Sequence, residues 1–265
     1  MNSITPGKLK RNVILYCLGV LLLSTFGGVL SLKVNPGLML LFAVSPLVMM
    51  LVLRFFAGDG WGDAGLRLKF RGSWPWYLFA FFVYPFTILF VLALGGVYGI
   101  TTLNGDLKSL LPLFLTGLAA QFLPRMLFAL FEEWGWRGYL EPRLAALNVP
   151  DLPRHLLVGV VWAAWHVPMI LTTNYTSLPY WVFFPLFLIG VLLSAVVYGQ
   201  LRKASGTVWT AVLMHGTANT VAWAILQNNL VSIDNKLLAN ISPESVFSIL
   251  LWAVLAWWML FRRKS

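Results

Sequence analysis

The sequence predicts an all-α fold: a polytopic integral membrane bundle of about eight transmembrane helices, with both termini in the cytoplasm. Three observations lead there. The 265 residues are 59% hydrophobic and only 11% charged, whereas a soluble domain carries roughly 25% charged residues. Uncharged runs of roughly 20 residues recur along the chain, the length that crosses a ~30 Å hydrocarbon layer. Lysine and arginine are also shared very unequally between alternate connections, as membrane orientation requires.

In chain order the spans fall at about 12–31, 37–53, 75–98, 110–136, 155–173, 181–200, 207–226 and 246–261. The first follows Lys8, Lys10 and Arg11 and resembles a signal peptide. It is long and lacks a small-x-small cleavage site, so a retained first helix is expected. Glycine, proline and asparagine mark the gaps, as in Asn35-Pro36-Gly37 and Asn148-Val149-Pro150. The stretch between spans 2 and 3 holds Trp61, Arg67, Lys69, Arg71, Trp74 and Trp76. It is expected to lie at the headgroup level, its tryptophans in the interface and its cations toward anionic lipid. No repeat or linker divides the chain, so residues 1–265 are taken as one domain.

With the N-terminus inside, the inner segments hold Lys8, Lys10, Arg11, Arg54, Arg67, Lys69, Arg71, Arg137, Arg143, Arg154, Arg202, Lys203, Arg262, Arg263 and Lys264. The outer ones hold Lys33, Lys108 and Lys236. Adding or dropping a span would scramble this bias. The net charge of +10 is therefore assigned to membrane orientation and not to nucleic acid. The single cysteine, Cys17, excludes a disulfide framework or a cysteine metal cluster within one chain. The basic character, short loops and absence of a targeting extension read as a prokaryotic cell-membrane protein.

Polar residues inside such spans are functional candidates by default. Glu132 and Glu133 lie near the inner end of span 4, His166 about eleven residues along span 5, and His215 about eight along span 7 with Asn219 one turn deeper. At 1.5 Å per residue they fall roughly 8–17 Å below the cytoplasmic face. Glu133 and Arg137 are spaced to pair along one helical face, which turns Glu132 away from them. Trp162 and His166 repeat the spacing, so the indole can wall the imidazole. Each has a plainer explanation when taken singly: a solvated glutamate pair, a packing histidine before Pro168, a hydrogen-bonding glue between helices. Together, two histidines and a carboxylate at one level are what is needed to bind a metal or activate a water. His155 is expected at the loop edge, as an interfacial residue. Arg125, after Pro124, is either a structural arginine at a proline kink or a counter-charge in the polar cavity.

The motifs Glu132-Glu133-x-x-x-Arg137, Trp162-x-x-x-His166 and His215-x-x-x-Asn219 resemble, in order and spacing, those of the CAAX prenyl protease type II family, the Ras-converting-enzyme type with CPBP or Abi prokaryotic members. Tryptophan replaces the usual phenylalanine at the start of the second motif. The likeness covers roughly residues 108–226. It implies an eight-helix intramembrane endopeptidase with a cavity open to the cytoplasmic side. By that resemblance Glu132 would activate water, and His166 would help hold the water or a metal. His215 and Asn219 would hold the water or stabilise the oxyanion, supported by Glu133 and Arg137. It leaves open a zinc ion on Glu132, His166 and His215, or no metal at all. The expected partners are membrane lipid and a protein or peptide substrate, either a prenylated CAAX-type protein or a bacteriocin- or signal-like peptide.

Two other classes remain. A proton-coupled transporter would use the same residues as a relay, although they cluster at one level and do not form a path across the membrane. A non-catalytic scaffold or immunity protein would keep the motifs for packing alone. Other protease chemistries fit less well, since there is no His-Glu-x-x-His, no Gly-x-Ser-x-Gly and no aspartate within a predicted span.

Overall fold

The computed structural model describes residues 5–262, so Arg263 and Lys264 of the inner-side cations lie outside the described residues. Apolar runs too long for a strand become helices: α1 (Pro6–Lys33), α2 (Met39–Phe56), α3 (Trp74–Val97), α4 (Leu107–Gly135), the short α5 (Glu141–Ala146), α6 (Asp151–Thr172), α7 (Tyr180–Ser205), α8 (Trp209–Gln227) and α9 (Val246–Phe261). Their ends follow local chemistry. Asp106 accepts from Ser109 N at 2.8 Å to cap α4. Gly206, at φ 66°, closes α7 in the left-handed conformation that glycine adopts without strain.

Each expected span contains one of these helices. Six segments are long and apolar enough to cross a membrane: Pro6–Lys33, Pro36–Phe56, Trp74–Val97, Leu107–Ala146, Asp151–Thr172 and Tyr180–Ser205. The chain is a polytopic membrane bundle. α8 is less apolar because it carries His215, Asn219 and three threonines, and α9 has only 16 residues. Large apolar side chains such as Leu22, Phe26, Phe86 and Leu89 face outward, as a hydrocarbon solvent permits.

One end of the bundle, called the near end, gathers the start of α1 and the 57–73, 136–151 and 205–209 connections. The far end gathers the 34–38, 98–106, 173–179 and 228–245 connections. There a two-stranded antiparallel ribbon pairs β1 (Thr101–Leu103) with β2 (Val231–Ile233), Thr101 opposite Ile233, and ties the α3–α4 connection to the α8–α9 connection.

α8 is the central helix, packed against α4, α3 and α7. Small residues let α4 and α8 approach closely: a Cβ at Gly216 would come within 2.3 Å of Met126 Sδ. α1 packs into the core against α2 and α6. Its Tyr16 is fully buried, with ring centroids 4.8 Å from Tyr139 and 6.0 Å from Trp136.

Two expectations change here. The 57–73 connection does more than lie on the interface. Its acidic residues turn inward: Asp59 meets Asn12 Nδ2 at 2.8 Å and also accepts from Tyr139, while Asp63 Oδ1 takes Arg54 at 3.0 Å and Arg143 at 2.8 Å. Arg54 also donates to the Gly138 carbonyl at 2.6 Å. Nor is His155 interfacial. It is fully buried, its Nδ1 2.8 Å from Glu141 Oε1 and its Nε2 3.2 Å from Gln200 Nε2. Glu141 faces it because the chain stays helical beyond Gly135.

Candidate active site

The site begins where α4 passes Gly135 into one π-helical turn, Trp136–Leu140, before α5. Such turns insert an extra residue into the helical ladder and recur at functional sites. Gly135 is required by packing, because a Cβ there would meet Pro46 Cβ at 2.4 Å and Tyr16 Oη at 2.5 Å. The continuous helical path to Ala146 also changes the depth. Glu132 lies fourteen residues before Ala146, and His166 lies fifteen after Asp151. At 1.5 Å per residue both sit about 21–22 Å from those near-end boundaries, deeper than expected yet still at matching distances. His215 comes only six residues after α8 begins at Trp209, but that beginning is itself covered by the 57–73 segment.

The two glutamates differ in their contacts. Glu133 is fully buried. Its Oε1 accepts from Arg137 Nη1 at 3.0 Å and lies 2.8 Å from His215 Nδ1; Oε2 receives the same Arg137 nitrogen at 3.1 Å. The Arg137 guanidinium lies 4.6 Å from the Trp162 ring centroid and 4.4 Å from that of Tyr198. Two aromatic faces thus stabilise a cation that has only one hydrogen-bonded nitrogen. Glu132 has no such clamp. Its Oε2 accepts from Trp162 Nε1 at 3.0 Å, and its Oε1 stands 3.7 Å from His215 Nε2.

The partners assign the imidazole tautomers. Glu133 can only accept, so His215 Nδ1 carries hydrogen and Nε2 is turned toward Glu132. His166 Nδ1 donates to the Trp162 carbonyl at 2.9 Å, which leaves its Nε2 as an acceptor. His166 is held edge-on against Trp165, with centroids 4.6 Å apart.

His166, His215 and the half-buried Asn219 line a cavity of about 140 Å³, with Tyr84, Tyr198 and Ser194. Its roof is the far-end segment Ile241-Ser242-Pro243. Glu132 stands behind Trp162 and His215, outside the lining. The cavity reaches the far-end segment Ile241–Pro243. On its near-end side lie the buried Arg137, Tyr139 and Trp136 and the Arg54–Asp63–Arg143 network.

Arg125 is not a counter-charge in this cavity. Its Nε donates to Gln121 Oε1 at 2.9 Å and its guanidinium lies 4.1 Å from the Trp223 centroid, at the α4–α8 seam. The sequence left open a zinc ion on Glu132, His166 and His215. Among the described residues no three His, Cys, Asp or Glu side chains are grouped to hold a metal ion. Sequence reasoning missed Ser194 and Tyr198, although their spacing of four on a largely apolar helix was a visible signal.

Residues 114–221 match the family described as type II CAAX prenyl endopeptidase Rce1-like. The similarity to that family covers the central part of the chain. The matched segment includes Glu132, Glu133, Arg137, Trp162, His166, His215 and Asn219. The chain is also similar to "CAAX prenyl protease 2" of Methanococcus maripaludis, 27% identical over 165 residues. That similarity covers 57% of this chain and 55% of the relative, so it spans about half of each protein.

Proposed function

We propose that the chain is an intramembrane endopeptidase that hydrolyses a peptide bond with a water activated by Glu132. The observation that carries this reading is the unequal treatment of the paired glutamates. Glu133 is neutralised by Arg137 and spent on orienting His215, whereas Glu132 keeps Oε1 free beside His215 Nε2. A 3.7 Å separation is too long for a direct hydrogen bond and suits a bridging water.

In this mechanism Glu132 takes a proton from the water as the oxygen attacks the scissile carbonyl carbon. The Asn219 amide donates to the resulting oxyanion. The intermediate collapses, the C–N bond breaks, and Glu132 returns the proton to the leaving amine. With Nδ1 engaged by the Trp162 carbonyl, His166 has Nε2 left to orient the water. Trp162 fixes Glu132 through Nε1 and shields Arg137 with its ring.

The substrate would be a membrane-associated protein or peptide. The archaeal relative's name supports a prenylated CAAX-type protein, and a bacteriocin- or signal-like peptide is the other class. The lysine and arginine bias supports placing the near end in the cytoplasm. The test is cleavage of membrane-anchored reporter peptides by purified protein in proteoliposomes, with Glu132→Gln, His166→Ala and His215→Ala alongside. Activity should be lost in all three. Full activity in all three would sink the proposal.

A further inference from the structure

The 57–73 connection buries its first half, but its second half points outward and alternates in chemistry: Arg67-Leu68-Lys69-Phe70-Arg71. Residues 68–70 form neither helix nor turn. In extended backbone, successive side chains point to opposite faces. Leu68, Phe70 and Trp74 are 60%, 58% and 61% exposed, and Lys69 and Arg71 are exposed as well. The stretch lies between the near-end termini of α2 and α3. No acidic residue occurs between Asp63 and Asp106, and Asp63 is already engaged by Arg54 and Arg143. The cations of the strip therefore lack an acidic neighbour in sequence, and apolar side chains lie between them.

The strip is also bound to the turn that launches α8. The single Thr207 Oγ1 hydroxyl donates to the Arg67 carbonyl at 2.9 Å, with the Gly65 carbonyl 3.2 Å away. Val208 N donates to Gly65 O at 3.0 Å, Trp209 Nε1 to Leu66 O at 2.7 Å, and Ser73 Oγ to Ser205 O at 3.0 Å. His215 follows Trp209 by six residues on the same helix.

We propose that Arg67–Trp74 is a docking strip for anionic phospholipid, and that headgroup binding there steadies the α7–α8 turn from which His215 is carried. Leu68, Phe70 and Trp74 enter the outer acyl region while Lys69 and Arg71 meet the phosphates. The occupant is a lipid and not a soluble anion, because the exposed apolar residues need hydrocarbon. The inference holds whatever reaction the chain performs.

The test uses the full chain in nanodiscs of phosphatidylcholine alone or mixed with phosphatidylglycerol. Bound lipid is counted by native mass spectrometry, and backbone exchange is followed by hydrogen–deuterium mass spectrometry. Phosphatidylglycerol should slow exchange in segments 64–74 and 205–210 of the wild type. Lys69→Gln/Arg71→Gln should bind it about 30-fold more weakly, some five-fold per cation near a charged leaflet, and lose that protection. Lys69→Arg/Arg71→Lys keeps both charges and should behave as wild type, which separates lost charge from a damaged fold. Lys33→Gln/Lys236→Gln, at the far end, should also bind as wild type. Unchanged phosphatidylglycerol binding by the Gln variant, or no added protection at 205–210 in the wild type, would overturn the proposal. So would inorganic phosphate producing the same protection in neutral nanodiscs.

Discussion

Glu132→Gln and Glu133→Gln are chemically the same change at adjacent residues and should fail in opposite ways. At position 132 the glutamine carbonyl can still accept from Trp162 Nε1, and the side chain was clamped by no cation. Its stability cost should stay below about 1 kcal/mol, the size of one ordinary hydrogen bond. Cleavage should fall by about 10²–10⁴, the usual share of a general base. At position 133 the same change leaves the fully buried Arg137 guanidinium without its counter-ion. Breaking a buried pair from one side costs about 3–5 kcal/mol, a large fraction of the ~5–15 kcal/mol that holds a typical domain together. Glu133→Gln/Arg137→Gln removes both charges and should recover at least ~1 kcal/mol relative to the sum of the single changes. The assay is unfolding in one defined detergent, with reporter-peptide cleavage on the same samples. A Glu133→Gln protein as stable as wild type, beside a Glu132→Gln protein weakened by more than ~2 kcal/mol, would refute the division of labour.

Three further outcomes follow from the geometry. Gly135→Ala should destabilise by about 1–3 kcal/mol through overpacking against Pro46 and Tyr16, read as a lowered thermal midpoint; an unchanged midpoint would mean that α1 and α2 do not hold this turn. Glu244, in the far-end connection, is buried with Ser242 Oγ at 2.7 Å, and burial raises its carboxyl above the ordinary range. A raised folded-state value gives stability that is fully present below the unfolded value and lost as pH rises through the folded one. Glu244→Gln should therefore raise the thermal midpoint at neutral pH, and the gain should vanish below the ordinary carboxylate range; a gain that does not vary with pH would contradict this. Since Glu132, His166 and His215 do not converge as metal ligands, reporter cleavage should survive chelation, and loss that zinc restores would overturn that expectation.

What could be read from the sequence is what helical period controls. Glu133 and Arg137, Trp162 and His166, and His215 and Asn219 are each four residues apart, and that spacing brings each pair to one helical face before any packing is known. The contacts that complete the site obey no such period. Glu141 meets His155 only because a π turn carries the chain past Gly135 in helical form. Asp59 and Asp63 join Arg54, Arg143 and Tyr139, some eighty residues apart in sequence for the latter two. Residues 136–140 supply a buried arginine, a buried tryptophan and a buried tyrosine to one crowded level, and the cavity lined by the histidines lies on the side of Ile241–Pro243. The arginine itself shows the limit of counting charges along a chain. Its counter-ion is four residues away and predictable, but its desolvation is offset by the faces of Trp162 and Tyr198, from two other helices. In a chain with 15% aromatic residues, composition could not say which rings would be used.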